Sequence, residues 1–109
     1  MNLNDLAVAC HETAKEKGFW DREPEDNEAN QLIAKMMLIT SEVSELCEAY
    51  VKQFHPELLE SEFADVAIRL LDLYEAMKSL KLVSRSFDIV VSEKIEVNKS
   101  RASKHGKLM

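Results

Sequence analysis

Two apolar seams set the terms on which this chain can fold. Leu32, Met36, Ile39, Val43, Leu46 and Tyr50 recur at spacings of three and four, and so do Leu59, Phe63, Val66, Leu70, Leu73 and Met77. That period belongs to one face of an α-helix. The first seam predicts a helix over 28–53 and the second a helix over 56–78. His55-Pro56 breaks the first and leaves a gap of two residues. Proline fits the first position of a helix, where its missing N–H costs nothing. So short a break favours antiparallel neighbours. Glycine and proline number two each, which leaves long helices with few turns.

Acidic pairs interrupt both seams. Glu42-Val43-Ser44-Glu45 is an E-x-x-E and Glu62-Phe63-Ala64-Asp65 an E-x-x-D. Residues three apart on a helix share a face. Counted from the break, the two pairs lie at roughly comparable levels of an antiparallel hairpin, so four carboxylates can converge. Glutamate is a good helix former, and E-x-x-E is common on solvated faces. Here, however, apolar residues flank the acids: Met36, Met37, Ile39, Val43 and Leu46 around one pair, Val66, Ile68, Leu70 and Leu71 after the other. Like charges packed together in such surroundings repel, and a divalent cation relieves the repulsion. All-oxygen donors point to a hard ion, Mg²⁺ or Mn²⁺.

The length of 109 residues suits one domain with a modest core. A net charge of −6 argues against a nucleic-acid polymer or an anionic membrane as partner. An acidic protein still meets a polyanion when metal ions bridge the two. Cys10 and Cys47 form no C-x-x-C and no Cys/His cluster; buried free thiols in a reducing compartment are the expectation. No basic segment followed by an apolar core opens the chain, and no apolar run reaches membrane-span length. These features predict a cytoplasmic protein.

A first helix is predicted over 3–17 from Leu3, Leu6, Ala7, Cys10 and Ala14, with Gly18 as its stop. Phe19 and Trp20 then open a polar loop. They suit either a staple at the helix end or a stacking surface for a flat base. The β-branched run Ile89-Val90-Val91 suggests a strand, but a lone strand has no partner, so a fourth helix is predicted over 85–101. Lys94, Asn98 and Arg101 share one of its faces, an ammonium, an amide and a guanidinium that suit phosphates. Favourable placement of cations at a helix C-terminus explains the same residues without a ligand. Lys35 lies on the side of Glu42, as a solvated lysine or a further phosphate contact. His11, His55 and His105 share no ligand spacing. Residues 102–109 are expected to form a flexible basic tail.

Together these segments resemble the MazG-like family of all-α nucleoside triphosphate pyrophosphohydrolases. The residues that carry the likeness are the E-x-x-E and E-x-x-D pairs and Lys94-Ile95-Glu96-Val97-Asn98-Lys99-Ser100-Arg101, with Lys17-Gly18-Phe19-Trp20 and Lys104-His105-Gly106-Lys107 in support. The resemblance implies an antiparallel four-helix bundle over 1–109 that assembles into homo-oligomers, dimers or tetramers. It implies Mg²⁺ held by Glu42, Glu45, Glu62 and Asp65, phosphates held by Lys94, Asn98 and Arg101, and cleavage of a nucleoside triphosphate between its α and β phosphates. Trp20 is carried over as a base contact. Two rivals stand beside this reading. A di-iron carboxylate bundle requires Glu-x-x-His motifs, which the chain lacks. A non-enzymatic helical interaction module would leave the carboxylates solvated and use the Met-rich seam as a partner surface.

Overall fold

The computed structural model describes residues 1–53 and 55–101; the tail expected over 102–109 lies outside them. Four helices follow one another: α1 (Leu3–Glu16), α2 (Glu28–Lys52), α3 (Pro56–Ser79) and α4 (Phe87–Lys99), with no strand among the described residues. The segment suggestive of a strand at Ile89-Val90-Val91 is helical. None of these helices is long and apolar enough to cross a membrane.

Each boundary has a local cause. Asn2 accepts from the Asp5 amide at 2.8 Å while Asp5 accepts from the Asn2 amide, a reciprocal cap that starts α1. Asn27 caps α2 by accepting from the Asn30 amide at 2.8 Å. At the end of α1 the Gly18 amide donates to the Lys15 carbonyl and the Phe19 amide to the Ala14 carbonyl, both at 3.0 Å. Such a closure needs a left-handed residue, and Gly18 supplies it with φ +82°. The end of α3 repeats the pattern through Lys81 and Leu82, which donate to Lys78 and Met77. There the left-handed residue is Lys81, φ 64°, where a side chain is strained.

α3 is the central element. It packs against α2 as the second arm of a hairpin and against α1 on another side. α4 packs on α1, and its first turn is pinned there. Asp88 accepts from the Ser86 hydroxyl and the Ile89 amide, each at 2.7 Å. Those bonds, with another from Asn4 of α1, hold the Asp88 carboxyl below its ordinary value. Tyr74 on α3 stacks on Phe87 at 4.6 Å between ring centroids and donates to the Arg85 carbonyl.

The buried apolar set among the described residues is small: Ala7, Ala14, Leu32, Ala49, Leu71, Leu73 and Ala76. The seams are only partly covered. Leu71 and Leu73 are buried and Tyr74 is half-buried, but Met36, Met37, Val43, Phe63 and Leu70 stay exposed, Phe63 at 62%. The reason is topological. α4 packs mainly on α1, with Phe87 against Tyr74 of α3, and does not close over the α2–α3 hairpin.

Replacing Lys81 by glycine removes the left-handed strain at the end of α3. Stability is expected to rise by roughly 0.5–1 kcal/mol after glycine's extra chain entropy is subtracted. A urea midpoint that moves upward with unchanged slope checks this; a midpoint that falls refutes the strain argument.

Candidate functional site

The hairpin of α2 and α3 brings the two acidic pairs together. Glu42, Glu62 and Asp65 each present a carboxylate oxygen, and these oxygens lie within 4.8 Å of one another. Glu42 and Glu62 are half-buried and Asp65 is exposed. Glu45 stands at the rim, exposed and outside this tightest group. Its carboxyl is nonetheless raised above its ordinary value of 4.5, first by the charge of Glu42, then by lost hydration, then by Glu62, with a smaller contribution from Asp65. All four acids therefore share one electrostatic neighbourhood. One oxygen of Glu62, Oε2, is buried and has no hydrogen-bond partner. Buried polar atoms are nearly always satisfied, so this oxygen is an acceptor in want of a donor or a cation.

Arg69 adjoins the cluster with Nε 3.6 Å from Glu42 Oε1. Its guanidinium also lies 5.0 Å from the centroid of the Phe19 ring. One residue thus joins the acidic cluster to the loop that follows α1.

That loop is anchored by a buried carboxylate which the sequence did not single out. Asp72, 4% exposed, accepts on Oδ1 from His11 Nδ1 at 2.8 Å and from Trp20 Nε1 at 2.9 Å. The Trp20 ring stands edge-on to the His11 ring at 5.6 Å. Gln31 donates to the Trp20 carbonyl at 2.8 Å, and the Lys35 ammonium donates to the Phe19 carbonyl and sits 4.9 Å from the Trp20 centroid. Lost hydration lowers the Lys35 ammonium below its ordinary value, partly offset by the charge of Asp72 and furthered by Arg69. Trp20 therefore serves as a staple, with its indole N–H committed. Lys35, expected in solvent or on phosphate, holds the loop backbone. The signal for Asp72 was present in Leu70-Leu71-Asp72-Leu73: an acid between buried leucines requires donors, and a histidine and a tryptophan upstream can supply them.

Cys10 and Cys47 are both free, but only Cys10 is partly covered while Cys47 is exposed, against the expectation that both be buried. Burial and the nearby charge of Asp72 push the Cys10 thiol up.

Lys94 and Arg101 are exposed on α4 and Asn98 is half-buried. Among the described residues no ion pair joins Lys94 or Arg101 to a carboxylate; the cation that pairs on this stretch is Lys99, with Glu96 at 3.2 Å. The helix packing does not lay this strip along α2.

Comparison with protein-family models, with curated proteins and with solved structures gives no match.

The raised Glu45 carboxyl makes a prediction about pH. A carboxyl whose folded value lies above its unfolded one penalises the fold once ionised, and the penalty disappears as pH falls below the unfolded value. Without divalent cations, stability is expected to gain from Glu45 as pH falls from above its raised value to about 4.5. Glu45→Gln flattens that gain. Melting curves in chelator across this window measure it, and an identical profile in the variant contradicts the assignment.

Proposed function

We propose that the chain is a MazG-like nucleoside triphosphate pyrophosphohydrolase whose Glu42, Glu45, Glu62 and Asp65 hold Mg²⁺, or Mn²⁺ in its place. The observation that carries the reading is the convergence of Glu42, Glu62 and Asp65 oxygens within 4.8 Å, together with the buried, unpartnered Glu62 Oε2. A donor set made wholly of carboxylate oxygens fits a hard divalent ion. The motif order along the chain supports the family.

When bound, a divalent ion neutralises phosphate oxygens and acidifies a water for attack. The chain's own residues do the rest. The two acidic pairs would hold that ion beside the α phosphate. Arg69 balances the charge of Glu42. Lys94, Asn98 and Arg101 take the β and γ phosphates as donors, and the products are a nucleoside monophosphate and pyrophosphate. A cytoplasmic house-cleaning role or control of nucleotide pools fits such an activity.

The test is hydrolysis of a panel of normal and modified triphosphates with Mg²⁺ in ¹⁸O-labelled water. Label is expected in the monophosphate. Asp65→Ala and Glu62→Gln should abolish turnover while leaving helicity intact. Arg101→Ala should lower kcat/KM about tenfold or more without shifting the melt, since charge-assisted hydrogen bonds contribute about 1.5–3 kcal/mol. Label found only in inorganic phosphate, or full turnover in both acidic variants, overturns the reading. If Mg²⁺ and a non-hydrolysable triphosphate both fail to bind, the interaction-module reading takes its place.

A homo-oligomeric antiparallel bundle belongs to the same proposal. The exposed Ile33, Met36 and Met37 on α2 and Phe63 and Leu70 on α3 are what a second copy would cover. Sedimentation at micromolar concentration is expected to give a dimer or tetramer; a fully active monomer refutes it.

A further inference from the structure

Arg69 stands beside the acidic cluster, and its surroundings hold it without using its donors. Glu62, Asp65 and Arg69 follow one another at spacings of three and four on α3, so they share one face of that helix. From there the guanidinium reaches across the hairpin to α2, with Nε 3.6 Å from Glu42 Oε1. At that separation the pair is electrostatic and not a hydrogen bond. The guanidinium also lies 5.0 Å from the centroid of the Phe19 ring, a cation–π contact. Phe19 is itself fixed through its backbone: its amide donates to the Ala14 carbonyl, and its carbonyl accepts from Lys35. Among the described residues no hydrogen bond engages the guanidinium N–H groups. The side chain is 28% exposed and lines an open cavity of about 230 Å³ between α1, the loop after it and α3, so these donors are reachable.

A guanidinium carries five N–H donors in a planar fork that grips a carboxylate or a phosphate by two bonds at once. An arginine whose whole task was to neutralise Glu42 would close on it in that way. Instead one nitrogen faces Glu42 at 3.6 Å. Asp72, the other carboxylate lining the cavity, pairs with His11. The electrostatics then depend on what the cluster holds. Before a divalent ion binds, Glu42 attracts Arg69. An ion on the same carboxylates cancels that attraction and repels the guanidinium. The fork then calls for another anion, and a phosphate beside the ion is one.

We infer that Arg69 is a phosphate ligand held in reserve: it balances Glu42 before a divalent ion binds and turns its fork to phosphate once the ion has taken Glu42. The inference rests on the nucleotide reading above for the identity of the anion. Phe19 is a positioning residue in it, because its ring supports the guanidinium next to the cluster. The strip of Lys94, Asn98 and Arg101 is not laid along α2, whereas Arg69 already touches the carboxylates.

The two roles of Arg69 carry opposite signs, which a structural arginine cannot imitate. As a competitor for Glu42 it weakens binding of the ion. As a phosphate ligand it strengthens binding of the substrate. Calorimetry on the full chain separates them, first with Mg²⁺ alone, then at saturating Mg²⁺ with the α,β-methylene triphosphates of the common nucleosides. Arg69→Gln is expected to bind Mg²⁺ about two- to fivefold more tightly. The same variant should bind the triphosphate at least about tenfold more weakly. Arg69→Lys keeps the charge, so its Mg²⁺ affinity stays unchanged, yet without the fork its triphosphate affinity falls severalfold. If Arg69→Gln does not fold, Arg69→Lys decides alone. Weaker binding of both ligands in a folded Arg69→Gln, or unchanged triphosphate affinity in either variant, overturns the inference; where the wild type still cleaves triphosphates, the pyrophosphohydrolase stands. The expected split in a wild type that binds both ligands and cleaves nothing sustains Arg69 and removes the hydrolase. A wild type that binds neither ligand overturns both.

Discussion

The carboxylate of Asp72 is the point through which the packing of this protein passes. Helix pairs in so small a domain would ordinarily be fixed by bulky interlocking side chains. Here the packed helices α1 and α3 bury Ala7, Ala14 and Ala76, small side chains that give little purchase against sliding. A buried anion with two donors, one from α1 and one from the following loop, supplies that fixation. Hydrogen bonds to a charged acceptor contribute about 1.5–3 kcal/mol each, and an orphaned buried donor costs a comparable amount. The loop is tied in turn to α2 by Gln31 and Lys35. One acidic side chain therefore sets the mutual placement of three helices.

The acidic pairs depend on that placement. Glu42 reaches its neighbours across the hairpin only if α2 and α3 keep their register, and Arg69 can touch both Glu42 and Phe19 only if the loop stays where Asp72 and Lys35 hold it. The same few contacts that orient the helices thus bring the carboxylates together and form the cavity beside them.

Helix positions were legible in the sequence because their signals are local. Spacings of three and four, Pro56 at the start of α3 and Gly18 at the end of α1 need no knowledge of distant partners. The convergence of Glu42 with Glu62 and Asp65 was legible for a related reason: a short break makes a hairpin, and a hairpin fixes levels. Two things were not legible. Asp72 meets His11 across 61 positions of chain, and a one-dimensional pattern shows an acid among leucines without showing its donors. The incomplete covering of Phe63 and Met37 follows from the side on which α4 packs, which depends on Tyr74, Phe87, Asn4 and Asp88. The fourth helix itself was expected over 85–101 and spans Phe87–Lys99; Ser86 and Asp88 set its start.

A core of alanines and few leucines reverses the usual geography of tolerance. In most small proteins the largest buried side chains are the costliest to change. Here the large apolar residues stand mainly at the surface, where changes in volume meet solvent. The tight sites are Ala7, Ala14 and Ala76, buried on α1 and α3, where overpacking by one methylene costs about 1–3 kcal/mol. At these three positions room runs out with the first added carbon, whereas at exposed Met37 or Phe63 a change of volume meets water.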